Sequence, residues 1–98
     1  MEFEWDKSKA AANLQKHGVS FEEAKTVFSN SLAVIFDDEA HSLDEQREII
    51  IGHSQQNLLL LISFTERSNA IRIISARLAT RKEREDYERN TCRKIAKF

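Results

Sequence analysis

The chain has 98 residues, of which 41% are hydrophobic and 32% charged, and a formal net charge of −1. This length holds one domain, residues 1–98, and excludes a second catalytic one; the composition suits a folded globule with a thin core and not a disordered tail. The near-zero charge argues against a surface built throughout to hold nucleic acid, but it conceals a split. Residues 66–98 carry ten Lys and Arg against five acids, a local charge of +5, which leaves five basic and eleven acidic residues and a charge of −6 in residues 1–65. Cys92 is the only cysteine, so no intrachain disulfide forms. The acidic start Met-Glu-Phe-Glu-Trp-Asp lacks the positive charge and apolar stretch of a secretory signal. The most apolar run, Leu58 to Ile62, is far shorter than the ~20 residues of a membrane helix. These features predict a cytoplasmic protein without membrane contact.

Pro is absent and Gly occurs only at 18 and 52, so helix caps mark the element boundaries. Phe3 to Trp5 is a short extended segment, and Asp6 then caps a helix running through Lys16, closed by Gly18 as a left-handed terminal residue. Along that helix Lys9, Asn13 and Lys16 share one face, with Ala10 and Leu14 on the adjacent core face. Ser20-Phe21-Glu22-Glu23 has capping-box spacing and opens a second helix that ends at Asn30-Ser31. Four apolar runs follow, Leu32–Phe36, Arg47–His53, Asn57–Phe64 and Ala70–Ala76, joined by connections too short for helical crossovers. They read as consecutive antiparallel strands. Thr80-Arg81-Lys82-Glu83 forms another capping box and starts a charged helix with Tyr87, Thr91, Ile95 and Phe98 on one stripe. The expected class is α+β, a mostly antiparallel sheet with helices packed on one face, in the order β-α-α-β-β-β-β-α.

No Gly-rich phosphate loop, nucleophile elbow or zinc-type spacing is present, and His17, His41, His53 and Cys92 are too scattered to make a metal signature. Asp37-Asp38-Glu39 reads as a strand-connecting turn in preference to a cation site. The informative residues are arginines. Regular alternation along the last strand turns Arg72 and Ile74 one way and Ile71, Ile73 and Ser75 the other. Arg72 is therefore a charge within an apolar strand, with Arg67 before it, Arg77 at the strand end and Arg81 opening the next helix. Planar guanidiniums on one sheet face make a phosphate cradle; salt bridges to Glu45, Glu48 or the C-terminal acids account for them equally well. His17 ends the first helix as a cap or, because imidazole titrates near neutral pH, as a proton carrier. Trp5 and Tyr87 are core residues or base-stacking partners.

The ordered set Phe3-Glu4-Trp5-Asp6, Lys9, Asn13, Lys16-His17-Gly18-Val19-Ser20-Phe21-Glu22-Glu23-Ala24 and Val27-Phe28 resembles the opening of the BrnT toxin family. The resemblance continues through His41-Ser42, Glu45, Arg47, Ile51-Gly52, Thr65, Arg67, Ile71 to Arg77, Ala79-Thr80-Arg81, Glu83-Arg84 and Tyr87-Glu88, over about residues 3–88. The Pro residues often found in the family near Lys7 and Ser31 are absent, away from the arginines.

The resemblance implies a RelE-like α+β fold and a metal-independent endoribonuclease, the toxin of a type II toxin–antitoxin pair, which inhibits translation and growth. It further implies a hetero-oligomer with a BrnA-like ribbon-helix-helix antitoxin, which neutralises the toxin, and DNA contact and operon repression only through that partner. No cofactor is called for. On this reading Arg67 and Arg77 are catalytic with His17 or Lys16 as the proton carrier, and Arg72, Arg81, Lys9 and Tyr87 bind RNA, Tyr87 being a weaker substitute for proton transfer. The helix and tail of residues 80–98 are candidates for ordering with the partner. The competing reading is a non-catalytic module that serves as partner or co-repressor of a ribbon-helix-helix protein.

Overall fold

The computed structural model describes residues 2–38 and 46–96, with side chains as far as Arg89. Eight elements occur in the expected order: β1 (Glu2–Glu4), α1 (Lys7–His17), α2 (Phe21–Val27), β2 (Val34–Asp37), β3 (Glu48–His53), β4 (Leu59–Arg67), β5 (Ala70–Leu78) and α3 (Arg81–Ala96). Local chemistry sets the helix ends. The Asp6 carboxylate accepts from the backbone N–H groups of Ser8 and Lys9 at 2.7 and 3.1 Å, which holds its pKa below the ordinary carboxylate value. Gly18 adopts φ +71° and its N–H returns to the Leu14 carbonyl. The Ser20 hydroxyl accepts from the Glu23 N–H, but the Glu23 carboxylate accepts from the Ser54 hydroxyl instead of reaching back. That half of the capping box is thus spent on tying α2 to the end of β3.

The five strands form one sheet in the order β1-β5-β4-β3-β2, antiparallel except for the parallel β1–β5 pair. One face carries the main core, where Phe21, Ala24 and Val27 of α2 meet Ile50, Leu60, Ile62, Phe64, Ile71, Ile73 and Ala76. Phe28 bridges Phe3 and Phe64 by edge-on ring contacts at 5.1 and 5.0 Å. Gly52 lets Ala33 and Val27 close over β3 on this side; a Cβ there would lie 2.8 Å from the Ala33 Cβ.

The expectation of helices on one face describes α1 and α2. Tyr87 of α3 packs with Ile51, Leu59 and Val34, which alternation along the strands places on the opposite face. The stripe residues Thr91, Ile95 and Phe98 lie outside the described side chains, as do Cys92 and, in the 39–45 segment, Glu39, His41 and Glu45.

The helix α1 face differs from its expected assignment. Leu14 is 50% exposed, whereas Asn13, expected among the polar residues, is buried. The reason is geometric: β1 covers β5 only at residues 70–72, so at Ala76, which pairs with Ile62 of β4 on one side, the β1-side edge of β5 has no strand beside it. The Asn13 amide substitutes for that strand. Its Oδ1 accepts from the Ala76 N–H at 3.1 Å, and its Nδ2 donates to the carbonyls of Ala76 and Val19, both at 2.9 Å.

Candidate functional site

Arg72 and Arg77 are five residues apart, so a regular strand would send them to opposite faces. A β-bulge changes this outcome. Ser63 pairs with Ser75 but its neighbour Phe64 pairs with Ile73, so Ile74 is an extra residue in β5. Past it, Ile71 and Ile73 remain on the core face, while Arg72, Ser75 and Arg77 share the opposite one. The sequence expectation that grouped Arg72 with Ile74 and placed Ser75 with Ile71 and Ile73 is corrected by this one inserted residue. Arg67, opposite Ala70 at the start of the hairpin, falls on the same face as Arg72. The strand register therefore brings Arg67, Arg72 and Arg77 onto the sheet face away from α1 and α2.

The two central arginines have different environments. Arg77 is held by Glu83 in a two-pronged pair, Nη1 to Oε1 at 2.8 Å and Nη2 to Oε2 at 2.9 Å. Glu83 is also the return arm of the α3 capping box, accepting from the Thr80 N–H while the Thr80 hydroxyl accepts from the Glu83 N–H. The guanidinium, aided by the Thr80 bonds and opposed by burial, pulls the Glu83 carboxyl down to about 2. The salt-bridge reading thus holds for Arg77, with a C-terminal acid. Glu48 carries no such bond among the described residues, and its pKa is raised by burial and by Glu66 and Asp37. Arg72 makes no hydrogen bond or ion pair among the described residues, although Glu4 is its register neighbour on β1. Its charge is felt at Asp6.

The other sequence candidates are distributed around this face. Asn13 fixes α1 against Ala76, so Lys16 and His17, about one turn further on, lie toward the end of β5 that carries Arg77. No hydrogen bond joins either side chain to the arginines among the described residues. Lys9 sits in the first turn of α1 beside Asp6, toward the Arg72 end, and is exposed. Arg81 is 93% exposed and pairs with Glu85 at 3.4 Å. Tyr87 is buried, its hydroxyl donates to the Leu32 carbonyl at 3.1 Å and its ring meets His53 edge-on, with burial raising its pKa. It serves as the pin that holds α3 on the sheet and offers no open ring face to a base. Sequence reading offered the C-terminal acids as partners without singling out Glu83, although the capping-box spacing marked its bond to Thr80.

A sheet face that carries three arginines, only part of it covered by α3, suits binding of a phosphodiester. The family model described as the ribonuclease toxin BrnT of type II toxin–antitoxin systems matches residues 5–83. The chain belongs to the BrnT toxin family. It is also similar to the 1.1 Å crystal structure of the Brucella abortus ribonuclease toxin BrnT, with 26% identity over 83% of this chain and 99% of that one and a TM-score of 0.65. No curated protein matches the sequence. The segment matched by the BrnT model contains all of Arg67, Arg72, Arg77, Arg81 and Glu83 and ends before Tyr87. No helix among the described residues is long and apolar enough to cross a membrane.

Proposed function

We propose that this BrnT-family chain is a RelE-like endoribonuclease that cleaves RNA without a metal ion and is silenced by a BrnA-like ribbon-helix-helix antitoxin. The observation that carries the reading is the bulge-aligned arginine face, on which Arg72 has no partner among the described residues to compete with a phosphate. In the reaction the ribose 2′-oxygen attacks the adjacent phosphorus and the bond to the 5′-oxygen breaks, leaving a 2′,3′-cyclic phosphate and a 5′-hydroxyl. A base takes the 2′-OH proton and an acid returns one to the leaving oxygen. Arg72 and Arg67 bind the phosphate and offset the charge that builds on its oxygens. Arg77, oriented by Glu83, keeps further N–H donors of its guanidinium for the same task, with 37% of its side chain exposed. His17 is the first choice for proton transfer and Lys16 the second; Lys9 and Arg81 extend the cationic surface along the strand. The antitoxin would cover this basic face with acidic side chains and would supply the DNA contact through which the hetero-oligomer represses its operon.

The test is cleavage of RNA by the purified chain in EDTA, with products checked for a cyclic phosphate end. Arg72→Ala should lower the rate about 100-fold, the usual cost of one transition-state donor, with an unchanged unfolding midpoint. RNA left intact by the folded chain, with ribosomes also supplied, overturns the proposal. If the chain then still binds a ribbon-helix-helix partner, the non-catalytic reading takes its place.

A further inference from the structure

Phe36 is 46% exposed, and it belongs to neither hydrophobic cluster among the described residues. It lies on the edge strand β2, two residues from Val34, which packs with Tyr87, so both are on the arginine side of the sheet. Its cross-strand row is Ile49, Ser63 and Ser75, flanked by the row that ends in Arg77 and the one that ends in Arg72. One margin of the face thus carries an aromatic ring and the other two guanidiniums, with the half-buried Ser63 and Ser75 hydroxyls between. Three strand spacings separate Phe36 from Ser75, about 14 Å, which a short unpaired RNA segment spans with its backbone on the arginines and a base over the ring. Sheet surfaces bind single-stranded RNA in this manner, by stacking splayed bases on strand aromatics while cations hold the phosphates.

We propose that Phe36 is the base-stacking platform of this face and holds a nucleotide beside the phosphate gripped by Arg72 and Arg77. The inference rests on the ribonuclease reading and adds a residue that gives the site grip on a base. Charge complementarity commits the face to RNA, because the ring shares it with a guanidinium that has no carboxylate partner among the described residues, and docking of the antitoxin on the same ring is an outcome of the test.

The experiment measures binding of a 2′-fluoro RNA oligonucleotide, which lacks the attacking hydroxyl, alongside cleavage of ordinary RNA. Phe36→Ala and Phe36→Leu should each weaken binding roughly 10-fold, whereas Phe36→Trp should retain it. An abasic position scanned along the oligonucleotide should cost the wild type the same factor at one position and cost Phe36→Ala nothing further there. Unfolding midpoints confirm that the variants are folded. A wild type that cleaves RNA while Ala and Leu variants bind as tightly as it does overturns the stacking role alone. A wild type that neither binds nor cleaves RNA removes the ribonuclease reading together with this inference. Variants that keep RNA binding but lose the antitoxin complex assign the patch to protein docking and also overturn it.

Discussion

Replacing Glu83 by Gln tests the link between the capping box and the arginine face. The carboxyl is drawn from 4.5 down to about 2 by Arg77 and the Thr80 bonds. At ~1.4 kcal/mol per pH unit, that difference corresponds to roughly 3 kcal/mol in favour of the charged form in the folded chain. The side chains of Arg77 and Glu83 are 37% and 29% exposed, so solvent screens part of this. An effect of about 1–2 kcal/mol is expected after that discount. Because the folded pKa is depressed, the contribution is complete above the unfolded value near 4.5 and is lost as the pH falls toward about 2. Urea denaturation of wild type and Glu83→Gln across that range reads it directly, and the gap between the two chains cancels the titration of the other carboxylates. The gap should be ~1–2 kcal/mol near neutral pH, narrow below pH ~4.5 and nearly close by pH ~2. No gap at neutral pH, or one that stays constant on acidification, refutes the argument that the charge of Glu83 stabilises this corner.

Asn13→Ala should cost ~2–4 kcal/mol in urea denaturation, because it strands the Ala76 N–H and two carbonyls that the amide now satisfies. Gly52→Ala should lower stability by ~1–3 kcal/mol, since the new methyl meets the Ala33 Cβ at 2.8 Å; a thermal unfolding midpoint equal to wild type would show that this approach is not tight. Tyr87→Phe removes the bond to the Leu32 carbonyl and should cost about 1 kcal/mol while leaving the RNA cleavage rate unchanged, so a large drop in rate would return Tyr87 to the site.

The elements whose ends are set by short-range chemistry were legible in the chain. Asp6, Gly18, Ser20 and Thr80 each stand where their side chains or backbone freedom place a helix boundary. The alternation of Ile, Leu and Val likewise revealed four strands in a row. What alternation does not reveal is an interruption of itself. Ile74 looks like any other residue in an apolar run, and its insertion follows from how β4 and β5 pair, a non-local event. Asn13 was misread for a related reason: its burial depends on the short reach of β1 along β5, which the helix sequence does not encode. Nothing in the apolar run Leu32–Phe36 marks β2 as an edge strand, so the exposure of Phe36 is visible only in the structure. Spacing along the last strand marked the arginines as a set; only the register showed that Arg67, Arg72 and Arg77 share a face.

The bulge at Ile74 makes the site a property of spacing as well as of side chains. The residue at 74 performs no chemistry, so substituting it one side chain at a time would leave the arginines where they are. Pairing it regularly is different: with Ile74 kept and the bulge straightened, Arg72 would turn toward the core beneath α2, where an unpaired guanidinium costs several kcal/mol, whereas deleting Ile74 would leave Arg72 and Arg77 four residues apart and still on one face. A shortening of β5 at Ile74 should therefore preserve the arginine face, and what the bulge does is reconcile an odd spacing of the two arginines with a shared side of the sheet.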